Sequence, residues 1–324
     1  MKTKILMKYQ LPELPEENVG EIRDIVRFIR KNAHPDLIIL FGKYAGGKMQ
    51  SVLGGYEFLL VSPKGEPFDA ANLNRLLERN YLPLERKEPN IFLHTYNMNY
   101  INNHGRRSYF FYTIRNEGIV LYDNGLCGNI FSGQAFQATQ ATDAASSRFD
   151  LYFRQGTEFF NQAQQDWDKE LPRMAALHLH YAADCLFRTI ESIFYGSIIR
   201  DGNMKLCYMR TRHFSQRLAA TFDITFYENR DLLEDLDKYG TKSLDDQTFN
   251  LSKKNYNRAI AKIKALQEIV STTCREHIRF LEKCAHREIS ITPPKPPKTS
   301  ASEKVEVVPA MQENEITEMP ANDE

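Results

Sequence analysis

What is scarce in this sequence narrows it first. It holds one tryptophan, and no apolar run approaches the roughly 20 residues that a membrane-spanning helix needs. No membrane role is expected. The opening residues, "MKTKILMKYQLPELPEE", offer a brief apolar stretch and then prolines and acids, without the long apolar core of a secretion signal. Charge of either sign is not in excess: 42 Lys and Arg stand against 42 Asp and Glu, which argues against a general nucleic-acid binder. The five cysteines (Cys127, Cys185, Cys207, Cys274 and Cys284) are odd in number and show no C-x-x-C spacing. They carry no zinc signature and fit reduced, buried thiols in a cytoplasmic protein.

What is present supports real cores: 42% hydrophobic residues, with 20 Phe and 16 Tyr. Val19, Ile22, Val26 and Ile29 recur at helical spacing, predicting a helix over Glu16–Ala33 that Pro35 ends. Leu37–Phe41 reads as a buried strand, "GKYAGGKMQSVLGG" as a turn, and Tyr56–Val61 as a second strand. A helix over Asp69–Asn80, capped by Asp69, precedes an alternating strand at Ile91–Tyr96. Met98–Arg115 reads as helical and Gly118–Tyr122 as a short strand. The small, Gln-rich stretch from Asn129 to Ser147 reads as a linker.

Beyond it the pattern is helical throughout. Phe149, Phe153 and Phe160 line one face, and Pro172 opens a helix carrying Leu177, Leu186, Ile190 and Phe194. Further helices are expected over Met209–Ala220 and Asn229–Tyr239, and a long last one from the cap residue Ser252 to about Cys284. The stretch from Thr292 is rich in Pro, Ser, Thr and Glu, has no aromatic, and is expected to be a disordered tail.

The first half carries Phe41-Gly42-Lys43-Tyr44-Ala45-Gly46-Gly47-Lys48, then Gly54-Gly55-Tyr56-Glu57-Phe58. This resembles the minimal nucleotidyltransferase domain of the DNA-polymerase-β-like superfamily. The second half carries "ALHLHYAADCLFRTIESIFYGS" and "RTRHFSQRL", which resemble the HEPN family of helical domains, and "EGIVLYDNG" resembles the end of nucleotidyltransferase domains fused to HEPN domains. The resemblance spans about Glu16 to Cys284. It implies an α+β chain in four parts: a small mixed-sheet nucleotidyltransferase-like domain (1–128), a linker (129–147), an all-α up-and-down bundle (148–290) and the tail (291–324).

The resemblance also implies site residues. Gly42, Lys43, Tyr44, Lys48 and Gly55 are the expected nucleotide contacts, with Lys43 standing where the family has serine and serving as a point charge for phosphate. The family's two aspartates sit at alternate strand positions, face one side, and hold two Mg²⁺ ions on a nucleoside triphosphate. Here those positions are Gly55 and Glu57, and the next core strand, "IFLHTYN", has no acid and only His94 as an ionisable group. One carboxylate does not make an all-oxygen cage for two hard cations. Glu57 is thus the one candidate metal ligand and catalytic acid of this half.

The HEPN resemblance implies a metal-independent ribonuclease built on an Arg, four to six intervening residues and then a His. Arg27–His34 falls in the wrong half, and Arg279–His286 reads as a solvated helix end. Arg210, Arg212 and His213 form the more informative cluster, with His213 expected to open a helix, as a cap or a weak catalytic candidate. His178 and His180 point in different directions, whereas His180 and Asp184, four apart, can bond on one face. The basic last helix, with Lys253, Lys254, Arg258, Lys262 and Lys264, reads as a solvated face with RNA binding as the alternative.

These observations predict a catalytically impaired, nucleotide-binding or regulatory module that pairs as a homodimer through its helical half. The alternatives are an active Mg²⁺-dependent nucleotidyltransferase using Glu57 with substitute ligands, and a ribonuclease of a toxin–antitoxin type.

Overall fold

The structure, a computed structural model, describes residues 8–46, 55–62, 72–73, 76–77, 90–127, 130–131, 136–198 and 203–286. Residues Met1–Ile291 belong to one compact unit, and Thr292–Glu324, where the tail was expected, lie outside the described residues.

Helix α1 spans Glu16–Ala33, bounded as its apolar spacing predicts. It buries Ile22, Ile25, Val26 and Ile29, and ends where His34 turns left-handed, its N–H donating to the Arg30 carbonyl. Strand β1 (Leu37–Phe41), the one-turn helix α2 (Gly42–Ala45), and strands β2 (Gly55–Ser62) and β3 (Asn90–Asn97) follow. Helices α3 (Met98–His104) and α4 (Tyr109–Glu117) lead to strand β4 (Ile119–Asp123). The sheet order is β3-β2-β1-β4, with β2 and β3 parallel and the other pairs antiparallel. All of β1 and β2 is buried. The reason is that both faces are covered: Ile38, Leu40, Phe58 and Leu60 meet α1, while Leu37, Ile39, Leu59 and Val61 meet Phe110, Phe111 and Ile114 of α4. Each such side chain contributes about 1.5–3 kcal/mol by leaving water.

The single helix expected over Met98–Arg115 is two. A 3₁₀ turn at Gly105–Arg107 and an extended Ser108 separate them. The segment expected as a linker is helical from Ala138, because Ala141 and Ala145, four apart, bury one face against the bundle.

The helical half comprises α5 (Ala138–Asp168), α6 (Pro172–Phe194), α7 (Met204–Thr211), α8 (Gln216–Thr221), α9 (Tyr227–Asp245) and α10 (Lys253–His286). Pro172 sits in the first turn of α6, and α6 packs on α5, α9 and α10. The helix expected over Met209–Ala220 is broken. Its first part belongs to α7, capped by the Asn203 side chain, and a 3₁₀ turn at Arg212–Phe214 follows. Ser215, not His213, opens the next helix, its hydroxyl accepting from the Leu218 N–H. Ser252 plays the same part at α10, accepting from Asn255.

The two cores exchange residues. Phe92 of β3 belongs to the helical core, and Tyr195, just past α6, belongs to the core on the α4 face of the sheet. The Tyr96 and Ser197 hydroxyls are hydrogen-bonded across the same boundary.

Candidate functional site

The site begins where β1 runs out. After Phe41 the chain turns at Gly42 with φ +72°, a conformation that costs an L-residue about 1–2 kcal/mol. A Cβ there would also overlap Glu57 Oε2, so the position is glycine for two independent reasons. Phe41 stands opposite Glu57 on β2, and Phe92 stands opposite it on β3. Alternation puts Gly55, Glu57 and Leu59 on one face, and the register puts His94 beside Leu59 on that face.

The helical half closes over this face. Glu57 is 5% exposed, and Tyr195 Oη lies 3.2 Å from Glu57 Oε1 and 2.8 Å from the Arg210 carbonyl. Burial drives the Glu57 carboxyl up to about 7, against the opposing effects of the Tyr195 hydrogen bond and the Lys43 charge. The Tyr195 hydroxyl has a second acceptor for the proton it would give Glu57. A phenol has one proton, and the Arg210 carbonyl is an acceptor only and the nearer partner. When Tyr195 donates to it, a protonated Glu57 completes the chain by donating to the phenol oxygen.

His94 is 1% exposed, with the rings of Tyr195, Phe41 and Phe110 at 4.5, 5.2 and 5.5 Å. Among the described residues neither of its ring nitrogens has a hydrogen-bond partner. Burial, then the charges of Arg210 and His213, hold it down at about 3, so it is neutral throughout the physiological range. Half-buried His213 is held at about 3 as well, by its burial and then by Lys43 and Arg212. Behind Tyr195, Arg210 forms a buried ion pair with Glu191 at 2.7 Å, and Arg212 is buried beside it in sequence. The salt bridge holds Arg210 in place, so its carbonyl is fixed as the acceptor for Tyr195.

The structure therefore brings Gly42, Lys43, Gly55, Glu57 and His213 into one neighbourhood, although His213 comes from the other half of the chain. Tyr44 points elsewhere: its ring lies 4.5 Å from Tyr56, whose hydroxyl donates to Glu21 on the α1 side of the sheet. Lys48 lies outside the described residues. His180 and Asp184 do not bond each other. His180 Nδ1 pairs with the Leu236 carbonyl, and Asp184 pairs with Arg188. His178 points away from both and meets Asp166 at 2.6 Å, a contact that no local spacing announces. Arg279 and His286 are exposed at the end of α10. Tyr195 and Glu191 were missed in the sequence. The available signal was a tyrosine beside a left-handed glycine, Gly196 (φ +72°), and an acid inside an otherwise apolar helix.

Chemically, among the described residues the face offers one carboxyl that favours its proton near neutrality, two neutral imidazoles and several cations. Gly55, Phe41, Phe92 and His94 flank Glu57 on this face, and none supplies a second carboxylate. Among the described residues no group of three or more His, Cys, Asp or Glu is placed to hold a metal ion. A protonated carboxyl is a poor ligand for a hard cation, which needs the ionised form. Compared with known proteins, the chain matches no family model and no curated protein.

Proposed function

We propose that the chain is a nucleotidyltransferase-like scaffold joined to a HEPN-like bundle, impaired in metal-dependent transfer and serving as a nucleotide-binding regulatory module. One observation carries this reading. Glu57, among the described residues the sole carboxyl on the face where metal-dependent transfer needs two, is buried and hydrogen-bonded to Tyr195 of the helical half. Lys43 at its edge remains suited to a phosphate as a point charge. Binding there would act on the contact between the two halves, which is what gives the site a regulatory character.

Thermal unfolding with a panel of nucleoside triphosphates, with and without Mg²⁺, tests this. A ligand that binds only the folded state raises the midpoint. The expected result is a rise with one triphosphate that persists in chelator and disappears in Lys43→Ala. Mg²⁺-dependent transfer of a labelled nucleotide, abolished in Glu57→Ala, would replace the reading with an active enzyme. No rise with any triphosphate would remove nucleotide binding from it.

A further inference from the structure

On the far side of the sheet from Glu57, residues 9–12, α1 and the outer edge of β4 border an open groove of about 730 Å³. Its floor is aliphatic: Leu11, Val19, Ile22, Val26 and Leu121. Arg23, Arg27 and Arg30 form its α1 wall, and among the described lining residues none is acidic. These arginines recur every three to four residues, so they share one helix face. Arg30 stacks over the Tyr122 ring at 4.2 Å, which ties the wall to β4. Arg27 meets Asp24 at 2.8 Å, but both side chains are more than half exposed, and such a pair is easily exchanged for a better anion.

β4 is the outermost strand of the sheet. It already accepts an added segment, since the Val120 N–H donates to the Lys8 carbonyl and Lys8 pairs in parallel with Ile119. The groove thus combines an aliphatic floor and a row of arginines, beside a strand edge whose Val120 N–H is already taken by Lys8. We infer that it is a docking site for an extended peptide of a partner protein in which acidic residues alternate with aliphatic ones. The spacing fits: Arg23 and Arg27 are about 6 Å apart along the helix axis. Side chains two apart on an extended peptide are about 6.6–6.8 Å apart. Acids at alternate positions therefore meet Arg23 and Arg27 while the aliphatic side chains face the floor. A nucleic-acid strand would find its phosphates matched, but single strands favour aromatic platforms for their bases, and among the described lining residues Tyr9 is the one aromatic.

The test is fluorescence anisotropy of the full chain with a dye-labelled octapeptide of alternating Glu and Val. A Lys–Val octapeptide and an oligouridylate are the comparison probes. Saturable binding of the Glu–Val peptide is expected, about tenfold weaker in Arg23→Gln/Arg27→Gln. Val19→Glu, which places an acid on the partly exposed floor, should weaken it as well. All three positions are at least partly exposed, so the thermal midpoint of each variant serves as the folding control. Three results overturn the inference: no saturable binding of the Glu–Val peptide, equal binding of the Lys–Val peptide, or undiminished binding by the arginine variant. Arginine-dependent binding of the oligouridylate in preference to the peptide also overturns it, in favour of a nucleic-acid groove.

Discussion

Replacing Glu57 by Gln keeps the shape of the buried side chain and removes its ability to ionise. In the unfolded chain the carboxyl titrates near its ordinary 4.5, and in the native protein near 7. Between those values the native state holds a proton that the unfolded chain has released. Native stability therefore falls as pH rises. The contribution is complete below 4.5 and is lost as pH passes 7. Its size is about 3 kcal/mol. His94 and His213 act with the opposite sign. Both sit near 3 rather than 6.5, so the unfolded chain binds the extra protons and stability rises across that interval. Subtracting the Glu57→Gln curve from the wild-type curve cancels the histidines and isolates the carboxyl. Urea unfolding at a series of pH values reads both curves. Trp167, the single tryptophan, stacks on Tyr256 at 4.0 Å and reports on the helical half. The expected difference curve slopes downward from pH 4.5 to 8 against the variant. A flat or rising difference would refute the reasoning. It would mean that Lys43 and its neighbours keep Glu57 ionised in spite of burial, and the residue would then be a competent metal ligand.

Two further outcomes follow from the same neighbourhood. Gly42→Ala should destabilise by about 3 kcal/mol or more, combining the left-handed backbone with displacement of Glu57. In a Glu57→Ala background the same change should fall to the backbone part, about 1–2 kcal/mol, by the same urea assay. Arg210→Met should cost about 3–5 kcal/mol by stranding Glu191 in the core, and adding Glu191→Met should recover much of it. A double-mutant cycle in which the losses simply add would remove the pair from the account of how Tyr195 is held.

The parts of the fold governed by local spacing were legible in the sequence. The bounds of α1 and β1 follow from periodicity and from Pro35. The breaks were not. Ser108 and Ser215 interrupt helical patterns whose apolar residues continue across them, because each serves the start of the next helix rather than the end of the last. The start of α5 was hidden for a different reason. Alanine and threonine give little hydrophobic signal, yet Ala141 and Ala145 are small enough to let two helices approach closely. Within the site, Gly42, Lys43 and Glu57 were readable as a turn followed by a strand acid. Their closure by Tyr195 was not, since the two bonded residues stand 138 positions apart. No short-range pattern encodes such a pair.

The exchange of Phe92 and Tyr195 between the cores bears on whether either half can stand alone. Halves that meet through a linker can be cut apart and recombined with new neighbours. Here each half would lose an aromatic ring that its own core needs, and each would expose the socket that the other's ring had filled. The junction therefore ties the two cores together, and separating the halves would leave a gap in each where the other's ring had packed.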